Sequence, residues 1–226
     1  KRSSPRGGAV SLSHDGQFLA TVVQDEGLLI HSTDQDTESL DRSPLPGGPV
    51  ALAFSPDDAQ LAGSFIRDGR NLVAIRSWPD GAWVRETEVP FSAERLRFSP
   101  DGGRILLMGK FALILDAGDG EILTTLDGHE DWILGGSFSP DGHWAVTTSA
   151  DGTARVWKAS NGALHAVIRG HTRSVLDACF PDGDRLLTVS NDGTVRTWPL
   201  DPLTFAQAHK PRELKAAECE RWLGGP

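Results

Sequence analysis

The chain has 226 residues, 38% of them hydrophobic and 23% charged, the composition of a folded domain rather than of a disordered or membrane-embedded segment. A formal net charge of −9 argues against a nucleic-acid binder that works through a broad basic surface. Two cysteines, Cys179 and Cys219, are too few for a disulfide framework, and 25 glycines with 14 prolines point to many turns between short strands.

The chain opens on KRSSPRGG, which is basic but has no apolar segment behind it, so no signal peptide is expected. A first residue of Lys rather than Met suits a piece of a longer polypeptide. Five related units then follow, at about 9–40, 50–89, 93–127, 128–169 and 170–201. Each contains a turn of one type: LSHDG at 12–16, FSPDD at 54–58, FSPDG at 98–102, FSPDG at 138–142 and FPDG at 180–183. The turn aspartates Asp15, Asp57, Asp101, Asp141 and Asp182 are spaced by 42, 44, 40 and 41 residues. A step of about 40–45 residues is the length of one four-stranded propeller blade.

The local chemistry of each unit agrees. Pro fixes φ, Asp bonds its own backbone and Gly tolerates positive φ, so the chain reverses at the turn. The runs that follow, such as WAVTTS at 144–149 and RLLTVS at 185–190, are rich in β-branched and aliphatic residues and lack clean alternation. Such strands are expected to be buried on both faces. Cys179 lies in one apolar run and is expected to be a buried thiol. Asp151-Gly152 and Asp192-Gly193 then open tight turns into TARVW and TVRTW, the pattern of a β-hairpin. A further turn at 159–162 leads to LHAVIR, which gives four strands. The expected fold is all-β, a β-propeller of four-stranded antiparallel blades with five repeats visible. After it, residues 202–226 are expected to form a short helical C-terminal tail, because Asp201-Pro202 is a good helix start and Gly224-Gly225 a stop.

The last two units carry a more specific signature. The fourth has Gly128-His129 and then SADGTARVW at 149–157; the fifth has Gly170-His171 and then SNDGTVRTW at 190–198. His and Trp are 28 residues apart in one and 27 in the other. These residues resemble the WD40-repeat (WD-repeat) family of β-propellers. The resemblance implies a buried hydrogen-bonded tetrad in each blade, made by His129, Ser149, Asp151 and Trp157 and by His171, Ser190, Asp192 and Trp198. It also implies that the ring is closed by a strand from upstream of the first blade, for which 1–8 is a poor candidate. The pattern departs in places. Lys158 and Pro199 stand where Asp is expected after Trp, Trp78 is at a plausible Trp position without a Gly-His entry, and unit three has Leu115-Asp116. Units one to three fit any propeller with Pro-Asp-Gly turns, including the TolB-like or peptidase-associated type.

The resemblance implies a non-catalytic, protein-interaction scaffold that takes protein or peptide partners on the face around the central channel. The side chains there that the fold does not need include Glu130, Asp131, Trp132, Thr172, Arg173, Ser174 and Asn191. Trp132 and Arg173 lead, since Trp and Arg are the commonest interface hot spots, with Asp131 and Asn191 beside them. Trp132 packed between blades is the competing reading. The remaining histidines have no paired ligand at metal spacing, no G-x-S-x-G elbow or phosphate loop occurs, and the Asp-Gly clusters read as turns. No catalytic residue, metal or cofactor is therefore expected, nor a nucleic-acid or membrane partner, and a cytoplasmic setting is. An alternative is a regulatory or sensor propeller of a larger bacterial signalling enzyme, a serine/threonine kinase or NTPase, whose catalytic domain is covalently linked upstream. A complete five-bladed ring and closure by dimerisation stay open beside it.

Overall fold

The Ser-x-Asp element of the recurring turns builds a clasp that repeats four times. Ser13, Ser55, Ser99 and Ser139 donate their hydroxyls to Asp15, Asp57, Asp101 and Asp141 at 2.5–2.6 Å. The same carboxylate oxygens accept the amides of Gln17, Ala59, Gly103 and His143. Each serine oxygen in turn accepts the amide five residues on, at 2.9 Å. The hydroxyl bond is the main reason that these four aspartates lie below the ordinary carboxylate pKa. Unit five has no such serine; there Arg185 reaches back to Asp182 instead, at 2.7 and 2.9 Å.

A computed structural model of the chain describes residues 9–23, 27–34, 41–43, 47–79, 81 and 83–200. The expected C-terminal helix, 202–226, lies outside them, as does the start at 1–8. The first sheet is β1 (Val10–Leu12), β2 (Phe18–Val23), β3 (Gly27–Ser32) and β4 (Asp41–Ser43). The second is β5 (Gly48–Phe54), β6 (Gln60–Arg67), β7 (Arg70–Ser77) and β8 (Trp83–Val89). The third is β9 (Ala93–Phe98), β10 (Arg104–Gly109), β11 (Ala112–Asp116) and β12 (Ile122–Thr125). The fourth is β13 (Ile133–Phe138), β14 (Trp144–Ser149), β15 (Ala154–Lys158) and β16 (Leu164–Ile168). Among the described residues the fifth has three strands, β17 (Val175–Asp182), β18 (Arg185–Ser190) and β19 (Val195–Pro199). Strand order follows chain order in every sheet and all pairings are antiparallel. The fold is all-β, with the sheets as successive propeller blades.

The core sits between sheets. β1 packs on β5, β5 on β9, β9 and β10 on β13, and β13 and β14 on β17, so first strands gather round the common axis. Leu28 and Ile30 of blade one meet Leu52 and Phe54 of blade two. Val146 and Val156 of blade four meet Ala178 and Phe180 of blade five in the same way. The second strands β6, β10 and β14 are shut in on both sides, which is why they lack alternation. The first strands of blades four and five come close at Gly135, where a β-carbon would lie 2.6 Å from the Leu176 carbonyl oxygen of the next blade.

Three residues depart from expectation. Trp78 does not take the strand-three Trp position; the register that pairs Ala145 with Trp157 pairs Leu61 with Arg76. Arg76 fills that buried place with its guanidinium 5.9 Å from the rings of both Trp78 and Trp83. Cys179 is exposed rather than buried. Its flanking residues Ala178 and Phe180 turn into the interblade core, and strand alternation sends the thiol the other way. Asp58, where other units have Gly, has φ +55° and turns this departure to use. Its two carboxylate oxygens accept the amides of His14 and Asp15 at 2.7 and 2.9 Å, tying the turn of blade two to that of blade one.

Candidate interaction face

The loops entering β13 and β17 share one face with the Asp-Gly turns, and a polar network in each blade holds loop to turn. In blade four His129 Nδ1 donates to Asp151 Oδ2 at 2.8 Å, and Nε2 faces the Thr147 hydroxyl at 2.9 Å. Trp157 Nε1 donates to the same hydroxyl at 2.8 Å. The donors run in one direction: indole N–H to Thr147, Thr147 O–H to the imidazole, imidazole N–H to the carboxylate. That order assigns a neutral ring with its proton on Nδ1. Blade five repeats it with His171, Asp192, Thr188 and Trp198 at 2.8–2.9 Å.

The hydroxyl in the network is therefore not the one expected. Ser149 and Ser190 do not join His to Trp; Thr147 and Thr188 do. Residues two apart on a strand share a face, so serine and threonine are both eligible by pattern. Strand pairing decides between them, because Thr147 lies opposite Arg155, two residues from Trp157. Ser149 instead donates to the Asp131 carbonyl at 3.0 Å and accepts the Asp151 amide at 3.0 Å. Ser190 likewise donates to the Ser174 carbonyl and accepts the Asp192 amide. Thr153 and Thr194, unnoticed in the sequence, each donate to the neighbouring aspartate, at 2.7 and 2.6 Å.

Burial works against ionisation of Asp151. Bonds from Thr153, His129 and the Glu130 amide outweigh it and hold the pKa at about 2. Asp192 is lowered further by the corresponding partners, Thr194 foremost. Burial is also the main influence on His129 and pushes it below its ordinary value, against the pull of Asp151. Both His–Asp pairs are almost wholly enclosed, with side-chain exposures of 2–8%. They are internal props and offer no reactive group to solvent.

What they prop is the rim. Asp131 Oδ1 accepts the Trp132 amide at 2.7 Å, and the Trp132 carbonyl accepts the Ala150 amide at 2.9 Å. Between those fixed points Trp132 is 45% exposed. The loop of blade five lies against the turn of blade four: Ser174 reaches the Ala150 carbonyl at 3.4 Å, and Gly152 sits beside the Arg173 carbonyl. Glu130, Asp131, Thr172, Arg173 and Asn191 are exposed on the same side. Blade three adds Lys110 and Phe111, which the sequence did not single out; Phe111 is 44% exposed and Lys110 Nζ lies 5.4 Å from its ring.

The family described as WD domain, G-beta repeat matches residues 120–158 and 162–199, the stretch that holds both networks. The chain carries WD40 repeats. Similar proteins come from animals and fungi. WD repeat and HMG-box DNA-binding protein 1 of Xenopus laevis is 28% identical over 70% of this chain and 14% of its own length. WD repeat-containing protein 82 of Drosophila melanogaster is 30% identical over 56% of the chain and 42% of its own. Coronin-7 of Mus musculus is 31% identical over 68% of the chain and 17% of its own. The chain thus spans less than half the length of each of these relatives. As in WD40 proteins generally, the role these repeats support is that of a protein-interaction scaffold.

Proposed function

We propose that this chain is a scaffold that holds a protein or peptide partner on the rim around the central axis, with Trp132 and Arg173 as anchors. One observation carries the reading: Trp132 is exposed while hydrogen bonds fix its backbone on both sides. A large side chain presented from a rigid mount loses little conformational entropy on binding, which is how aromatic hot spots gain their weight. Arg173 stands on the adjoining loop with a fork of donors for carbonyls or carboxylates. Asp131 serves as the cap that orients Trp132, and Asn191 extends the polar rim.

The test is affinity capture from cell extract with wild type, Trp132→Ala and Arg173→Ala. Both side chains are exposed, so the variants keep the fold. Loss of a partner that wild type retains supports the rim. An unchanged set of partners with both folded variants overturns it.

A further inference from the structure

Blade three departs from the repeat on its innermost strand. Strand pairing puts two first-strand positions at the same place in blades two to five: Ala51 and Ala53, Arg95 and Arg97, Gly135 and Ser137, Asp177 and Cys179. This face of the strand lies against the next blade, and the other blades carry short side chains there. Ala51 and Ala53 are buried against blade three, and Ser137 donates its hydroxyl to the Ala178 carbonyl of blade five at 3.0 Å. Arg95 and Arg97 are both exposed, so their stems leave the junction and carry the charge into the space around the axis. Among the described residues neither guanidinium has an ion pair or a hydrogen bond, whereas Arg67, Arg70, Arg104 and Arg185 each have a carboxylate.

The two arginines are two residues apart on one strand face, about 7 Å along β9. Arg95 pairs with Met108, and exposed Lys110 two residues on adds a third cation at the rim. Two acidic groups stand nearby. Glu94 is exposed in the bulge of β9, and Asp177 of blade five turns its carboxylate to the Ala178 amide at 2.9 Å. We propose, taking the rim as the partner face, that Arg95 and Arg97 bind the carboxylates of an acidic peptide segment. The segment lies extended along the axis-facing wall of β9, with its acidic residues at alternate positions. An extended peptide repeats its side chains on one side every two residues, which is the spacing of the two arginines. Each guanidinium takes a carboxylate through two parallel bonds. Like charges on one strand face repel, so the pair adds nothing to blade three by itself and is relieved by such a partner. Two cations beside Glu94, in a chain of net charge −9, suit a few carboxylates rather than a nucleic-acid backbone.

The experiment is fluorescence anisotropy of the 226-residue chain with a short labelled peptide in which Glu alternates with Val. Three further probes are a peptide of the same composition with its Glu residues in one block, a peptide with Lys in place of Glu, and a single-stranded oligothymidylate. The variants are Arg95→Ala and Arg97→Ala; blade two carries alanine at both places, so they keep the fold. Lys158→Ala, which removes an exposed cation at the end of β15 away from the rim, is the control. The expected result is that the alternating Glu peptide binds more tightly than the block, that the Lys peptide does not bind, and that added salt weakens binding. Each arginine variant weakens it roughly tenfold, the loss of one charge-assisted pair, and Lys158→Ala leaves it unchanged. Any of four results overturns the proposal: no binding to wild type, equal binding of the block peptide, an equal loss with Lys158→Ala, or tighter binding of the oligothymidylate. Partners lost with Trp132→Ala, beside peptide binding that ignores both arginines, overturn this site and leave the rim anchors standing. Peptide binding that needs both arginines, beside capture unaffected by Trp132→Ala and Arg173→Ala, supports this site and overturns the anchors alone.

Discussion

The Thr147 hydroxyl and His129 Nε2 are 2.9 Å apart inside blade four, and that hydroxyl is also the acceptor for Trp157 Nε1. The adjacent residue, Thr148, is equally buried, yet its hydroxyl has no partner. Thr147→Val and Thr148→Val make the same chemical change one residue apart and are expected to act with opposite sign. The first orphans two buried polar atoms and should cost about 2–4 kcal/mol; the second removes an unpaired hydroxyl and should stabilise by about 1 kcal/mol. Urea denaturation of the two variants checks both values. Equal destabilisation would mean that the network contributes nothing beyond packing.

Acid should weaken the protein in two stages. His129 is held below its ordinary pKa of 6.5, so the unfolded chain takes up a proton there first as pH falls. Its contribution is complete above 6.5 and declines below it. Asp151, lowered from 3.8 to about 2, contributes fully above 3.8 and loses its contribution as pH falls towards 2. Ring carbon shifts of His129 followed by NMR through a pH titration should show the neutral Nδ1–H form persisting to lower pH than in an unfolded-chain histidine. A ring that charges at or above the ordinary histidine pH would contradict the donor order given above.

Gly135→Ala should cost more than an interior Gly→Ala change ordinarily does. A β-carbon there meets Leu176 O at 2.6 Å, a backbone atom that moves only if blades four and five separate. Overpacking of this kind costs about 1–3 kcal/mol. A melting temperature within experimental error of wild type would show that the two first strands are not this close.

Asp58→Ala should loosen blade one specifically. It removes both acceptors for the His14 and Asp15 amides and leaves a β-carbon at φ +55° without compensation. Asp58→Gly loses the same bonds but suits the backbone, and should lie about 1 kcal/mol above Ala. Hydrogen exchange at residues 14–16 reports the loosening; unchanged exchange in both variants would remove the bridge.

Much of this architecture is local and so legible in one dimension. The Ser-x-Asp clasp, the Asp-Gly turns and the spacing of about 40 residues involve groups two to five residues apart, and the chain specifies them wherever it is placed. Gly-His and Trp marked the two blades with a full polar network because they recur at matching places in the repeat. Partners across strands were another matter. Ser149 and Thr147 are equivalent by composition and periodicity, and only the register of β14 on β15 selects the threonine. Arg76 took the place expected of Trp78 because pairing of β6 with β7 fixed which residue faces the core. Cys179 reads as apolar core in sequence, but what lies opposite a strand face is set by the neighbouring blade.

The sequence by itself determined the blade: its length, its turns and the residues able to form its network, all through short-range chemistry. Tertiary structure decided what each blade face meets. The pair position held by Thr148 and Ala154 is core in blade four, and the same position, held by Val189 and Val195, is surface in blade five, because burial belongs to the junction between blades and not to the repeat. It also decided that Trp132 is presented outward while Ile133 beside it is packed away, since the loop is pinned by Ser149 and Ala150 from strands some twenty residues later.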